Sequence, residues 1–238
     1  MPTGLAALCI DANDPLRLAH FWAELLDRRL APDGVTLEAG DDKELAIVFR
    51  PTSEAKAGPN QMHVHLTSAT EREQHETVER ALRLGGSHLD VGQRPEEGHV
   101  VLADLEGNEF CVIEPGNAFL AGCGRLGEVA CDGTREVGLF WSDALGWPLV
   151  WDQDEETAVQ SPAGGTKVSW GGPPVRRKTG KNRMHLHLIL APESDLGSEV
   201  ERLLTLGATR TALGEGDVPW VVLADPDGNE FCVLDHLG

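Results

Sequence analysis

The chain is 238 residues long, 41% hydrophobic and 25% charged, with a formal net charge of −19 at pH 7. That length accommodates two compact domains. The acidic balance excludes a nucleic-acid backbone or an anionic membrane surface as the expected partner, because both call for a basic face. No run approaches the ~20 apolar residues that cross a bilayer, and the opening MPTGLAALCIDAND lacks the basic n-region of a secretory signal. Five cysteines without CxxC spacing argue against a disulfide framework or a structural zinc site and point to a reducing cytoplasm.

In chain order, a strand is expected over residues 5–10, then a helix with Asp14 as N-cap and Pro15 at its first position. Leu18, Phe21, Trp22, Leu25 and Leu26 give that helix one apolar face. Short strands follow near 35–38 and 45–49. A second unit opens with a strand over 62–67. Its helix begins with the capping-box pair Thr70 and Glu73, buries Val78, Ala81 and Leu82, and stops at Gly85. Strands over 87–91, 99–103 and 109–113 complete the unit, the last two joined by a turn over 104–108 in which Gly107 takes a positive φ. After a linker at 115–125 the order recurs. A strand over 127–130 precedes a helix carrying Val137, Phe140, Trp141 and Leu145 and ending at Gly146; strands near 149–151, 157–160 and 167–170 follow. The last unit has a strand over 184–190, a helix with Leu196, Val200, Leu203 and Leu204 ending at Gly207, and strands over 209–213, 220–224 and 230–234. The order β-α-β-β-β thus occurs four times. The segments 51–61 and 171–183 are Pro-, Lys- and Gly-rich crossings between units.

The chain is also internally duplicated. Residues 100–112 read VVLADLEGNEFCV and residues 221–233 read VVLADPDGNEFCV. A His-x-His-Leu precedes each copy, at His63 to Leu66 and at His185 to Leu188, and a Phe-Trp pair lies in the first helix of each half, at Phe21-Trp22 and Phe140-Trp141. Such a repeat makes the chain two copies of one domain, over 1–115 and 126–238.

With Phe140-Trp141-Ser142-Asp143-Ala144-Leu145-Gly146-Trp147, Lys181-Asn182-Arg183-Met184-His185-Leu186-His187-Leu188 and Asp225-Pro226-Asp227-Gly228-Asn229-Glu230-Phe231-Cys232-Val233, the chain resembles the vicinal oxygen chelate superfamily. That group includes glyoxalase I, extradiol dioxygenases and bleomycin-resistance proteins, and the resemblance is to its glyoxalase-like domains. It implies an α+β fold: four β-α-β-β-β modules paired into two tandem glyoxalase-like domains with curled mixed sheets, each holding a ligand on its concave face. It further implies that metal-using members take ligands from the opening and last strands of each module. His63 and His185 fall at such positions. The last-strand carboxylate, however, falls at Cys111 and Cys232, and the first-module positions fall near Leu5 and Ala46 or Ile47. The expectation is therefore no metal and no other cofactor, with a divalent metal on His63, His65 and Glu109 as the alternative.

Strand alternation puts His63 and His65 on one face, and His185 and His187 likewise. His65 and His187, with Glu109 and Glu230, are the candidate acid/base groups. His63, His185, Trp170, Trp220, Cys111 and Cys232 are the candidate ligand-binding residues, the tryptophans as a stacking wall that makes the second cleft the more aromatic. Asp104 and Asp225 read as turn formers, and the tract Arg176 to Arg183 as a basic loop or a lid over an anionic ligand. The expected function is metal-independent binding of an apolar or aromatic small molecule. A metal-dependent lyase, isomerase or dioxygenase, or a metal-free acid/base enzyme, are the alternatives. Tandem fusion supplies internally the pairing that a single domain gets by dimerising, so a monomer or homodimer is expected.

Overall fold

The computed structural model describes residues 3–41, 43–94, 96–178, 180–192, 194–211 and 220–235. The first module contains β1 (Gly4–Ala12), α1 (Pro15–Leu26), β2 (Thr36–Leu37) and β3 (Ala46–Pro51), its remaining strand reduced to a bridge between Leu30 and Leu37. The second contains β4 (Met62–Leu66), α2 (Glu71–Arg83), β5 (Ser87–His88), β6 (Val100–Ala103) and β7 (Glu109–Val112). The third contains β8 (Leu126–Cys131), α3 (Arg135–Leu145), β9 (Leu149–Gln153), β10 (Glu156–Gln160) and β11 (Lys167–Trp170). The fourth contains β12 (Met184–Ile189), α4 (Leu196–Leu206), β13 (Thr209–Arg210), β14 (Trp220–Ala224) and β15 (Glu230–Leu234). The end of the strand expected over 209–213 lies outside the described residues. Among those described, no helix is long and apolar enough to cross a membrane.

Local chemistry sets the helix ends. Asp14 accepts from the Arg17 amide ahead of Pro15, and Thr70 accepts from the Glu73 amide. The Glu73 carboxylate reaches back to the amide of Ala69, one residue before the N-cap. Gly146 and Gly207 end α3 and α4 in the left-handed region. Leu82 departs from expectation: it is exposed, and Thr77 joins Val78 and Ala81 on the buried face of α2.

The sheets do not follow the halves of the chain. Modules one and four make a seven-stranded sheet, β13-β14-β15-β12-β1-β3-β2, and modules two and three an eight-stranded one, β5-β6-β7-β4-β8-β11-β10-β9. Both are mixed. They are open rather than strongly curled, and β2, β5 and β13 at their edges are only two residues long. The central joint of each is an antiparallel pair contributed by different halves: β1 with β12, and β4 with β8.

The helices pair the other way, α1 against α2 and α3 against α4, and one apolar core runs through the molecule. Trp22 of α1 lies edge-on to Phe110 of β7, with ring centroids 5.1 Å apart, so a helix of module one packs on the sheet of module two. Trp141 of α3 touches both Phe231 of the first sheet and Trp170 of the second. Each buried ring of this size contributes about 1.5–3 kcal/mol. Asp104 and Asp225 do more than turn the chain. Each accepts the indole N–H of its half, Trp22 at 3.1 Å and Trp141 at 3.3 Å, which leaves neither polar group orphaned in the core.

Candidate functional site

On β4, Met62, Val64 and Leu66 enter the core, which turns His63 and His65 to the opposite face. β8 lies beside it with Glu128 opposite His65 and Ala130 opposite His63. The register shifts just past His65, a bulge of the kind that re-aims side chains, and the first sheet has its counterpart between Leu5 and Ala7.

Here three groups form a chain. His65 Nδ1–H donates to Glu128 Oε2 at 2.6 Å, and His65 Nε2 lies 2.9 Å from His63 Nε2. The other oxygen of Glu128 accepts from the Ser169 hydroxyl. Burial alone would lower the pKa of His65, but hydrogen bonds to Cys111 and Glu128 and the carboxylate charge outweigh it and carry it well above the usual value. For His63, burial together with the charge on His65 outweighs the pull of Glu128, Asp132 and Glu109 and holds it at about 4. Burial pushes Glu128 up, and its bonds to His65 and Ser169 bring it below the ordinary carboxylate range. At neutral pH the series is thus carboxylate, imidazolium, neutral imidazole, with His65 Nε2–H donating to His63. It lies in a cleft of about 940 Å³ with apolar walls at Leu89, Val101 and Ile113 and polar groups at Lys56, His99 and Arg176.

In the first sheet His185 and His187 occupy the same strand positions, with their Nε2 atoms 3.1 Å apart. Opposite them β1 places Cys9 and Ala7. Burial, then the charges of His187, Lys181 and Arg50, push His185 far down; burial, Arg50 and Lys181 hold His187 at about 4. The Nδ1 of His185 is buried without a hydrogen-bond partner among the described residues. This cleft is smaller, about 330 Å³.

Each sheet also gathers donors that suit a metal. His63, His65 and Cys111 form one set, and Cys9, His185 and His187 the other, with ligand atoms within 4.8 Å of one another in each. Two imidazoles and a thiol match a borderline ion of the zinc type better than Mg²⁺ or Ca²⁺. In the second sheet, Glu128 on the back of His65 is the outer carboxylate that commonly orients a metal-bound imidazole.

The sequence matches the glyoxalase-like domain family over residues 7–113 and again over 128–234. The chain belongs to that family. No curated protein matches it. Among solved structures, glyoxalase I from Zea mays is similar with a TM-score of 0.67 at 15% identity, covering 98% of this chain and 92% of that one. A putative dioxygenase from Bacillus subtilis subsp. subtilis str. 168 gives 0.66 at 14%, over 100% and 86% of the two chains. At such identities the likeness is one of fold.

Within this glyoxalase-like chain, the sequence-predicted residues are distributed as follows. His63, His65 and Cys111 line the larger cleft, and His185, His187, Trp220 and Cys232 the smaller. Burial pushes the Cys232 thiol up to about 12, so it is no nucleophile at neutral pH. Glu109 reaches the larger cleft but is held by Lys56 at 2.7 Å and the Asn60 amide at 3.3 Å. Glu230 is held by Lys178 and the Asn182 amide in the same way. Both carboxylates tie the crossing segments to the sheets, which leaves neither poised as a free base.

Trp170 is not in a cleft wall. It is 1% exposed and stacks on Trp141 at 6.3 Å, because its strand presents Val168 and Trp170 to the core and Ser169 to the cleft face. The expected aromatic wall therefore reduces to Trp220. Nor is the basic tract a free lid: Arg176 pairs with Asp132, Lys178 with Glu230, Lys181 with Asp11 and Arg183 with Glu106. Sequence reasoning missed Glu128, Ser169, Cys9 and Arg50. The signal for Glu128 was present: it is the one charged residue in an otherwise apolar strand, LGEVAC, and is 5% exposed.

Proposed function

We propose that this glyoxalase-like protein binds a small molecule with an apolar body in the cleft over the second sheet and moves a proton on it with His63 and His65. The observation that carries this reading is His65 fixed between Glu128 and His63 at the wall of a ligand-sized cleft. His65, kept charged by Glu128, is the proton source, and neutral His63, accepting from it at Nε2, relays the proton by presenting its Nδ1–H to bound substrate. Leu89, Val101 and Ile113 would take the apolar part and exclude water around the reacting atom. The halves 1–115 and 126–238 are on this reading units of duplication, and each cleft draws on both. The free cysteines fit a reducing cytoplasm as its setting.

The donor set favours a second reading. A zinc-type ion held by His63, His65 and Cys111, with Glu128 orienting His65, would supply Lewis-acid polarisation of a substrate oxygen.

One preparation tests both. Protein purified without chelators is analysed for metals beside His63→Ala, and its imidazoles are titrated by NMR. Near-stoichiometric metal lost in His63→Ala selects the metal centre. Without metal, an imidazolium at His65 that persists above pH 8 supports the proton-transfer reading, and ordinary titration near 6.5 overturns it.

A further inference from the structure

The smaller cleft, over the first sheet, has a chemistry of its own. Arg50 at the end of β3 sits over the Trp220 ring, its guanidinium carbon 4.4 Å from the ring centroid. A guanidinium seated over a ring face by a cation–π contact can still offer its N–H groups to a planar acceptor. Among the described residues, no carboxylate lies within ion-pair distance of it, whereas the neighbouring Lys181 and Lys178 are taken by Asp11 and Glu230. The two carboxylates that line this cleft, Asp11 and Glu230, are each engaged by a lysine, so among the described residues the half-buried Arg50 is the cation left to receive an anion. The repeat positions in the other half hold Gly171 and His99, so the pair belongs to this cleft alone.

We propose that the cleft lined by Arg50, Lys181, His185, His187, Trp220 and Val222 is a binding site for a small planar carboxylate on an apolar body. Arg50 takes the two carboxylate oxygens side by side, the geometry its fork is built for. Trp220 and Val222 cover the apolar part, and a volume of about 330 Å³ limits the ligand to a single ring or a short chain. This site is separate from the His63–His65 cleft and does not rest on its assignment.

The test is calorimetric titration of metal-free, chelator-dialysed protein with sodium benzoate, neutral benzamide and inorganic phosphate, read in parallel by tryptophan fluorescence. Saturable benzoate binding is expected, weakened at least tenfold in Arg50→Gln, less in Arg50→Lys, and weakened by added salt, with benzamide and phosphate at least tenfold poorer. Thermal melts establish that each variant is folded; Lys181→Gln, which unmasks Asp11, is the second variant and should lose affinity severalfold. No benzoate binding, equal binding of benzamide or phosphate, binding that appears only when zinc is restored, or an Arg50→Gln protein that binds as the parent does would each overturn the proposal. His65 titration in Arg50→Gln stays as in the parent, so failure here is distinguishable from failure in the other cleft.

Discussion

Opposite His65 the second sheet places Glu128, and opposite His187 the first sheet places Ala7. The backbones around the two His-x-His pairs match down to the bulge, so side-chain exchanges, this one foremost, separate their chemistry. With the carboxylate, one imidazole is held as a cation and its neighbour as a neutral hydrogen-bond partner. Without it, and with Arg50 and Lys181 nearby, both imidazoles are neutral. The comparison teaches that a duplicated fold fixes where a site lies, while single opposed residues decide its charge.

The sharpest break of that contrast is Glu128→Ala. It strands the His65 cation and the Ser169 hydroxyl in a buried place, and the expected loss is about 3–5 kcal/mol in urea unfolding at pH 7. An unchanged midpoint would mean that His65 is neutral in the parent.

Acid should cost a comparable amount. His63 and His187 have folded values of about 4 against ~6.5 unfolded, so the unfolded chain binds more protons between those limits and stability falls as pH drops through the window. The slope is at most about 1.4 kcal/mol per pH unit for each histidine. His65 acts oppositely: its contribution is full below ~6.5 and is lost as pH climbs through its raised folded value. Glu128, lowered on folding, contributes above its unfolded value and loses that as pH falls. Denaturation midpoints from pH 4 to 10 should therefore trace a dome. A flat acid limb would show that the histidines of both clefts are solvated.

A graft tests the comparison from the other side. Ala7→Glu should raise the His187 titration from about 4 by more than one pH unit, followed by NMR. No movement would show that Arg50 and Lys181, rather than the missing carboxylate, set that cleft's charge. The smallest change is expected of Trp170→Phe, which should cost about 1–2 kcal/mol through core packing and leave benzoate binding and its fluorescence response intact. A lost response would return Trp170 to the cleft.

Much of the architecture was legible because it is written locally. Asp14 before Pro15, Thr70 before Glu73 and the glycines at 146 and 207 each set a helix end through atoms a few residues apart. The faces of β4 and β12 followed from alternation alone. Which module joins which sheet was not legible, because the joint of β1 with β12 and of β4 with β8 is settled by packing between distant segments. The site shared that blindness. His63 and His65 are visible as a motif, whereas Glu128 becomes meaningful only once β8 is beside β4. Trp170 misled because its size suggested a ligand wall, and only the parity of its strand tells core from cleft.

The crossed joints have a consequence for descent. A single half, alone, would present β1 and β4 each with an edge lacking the neighbour it has here, and two identical halves meeting about a twofold axis would satisfy both at once. Any mutation in such a pair would be copied into both clefts. Joining the halves in one chain removes that compulsion, so Glu128 can stand at the place Ala7 holds in the other half, and Arg50 and Trp220 where the other half has Gly171 and His99. Fusion here released the two clefts to become different sites.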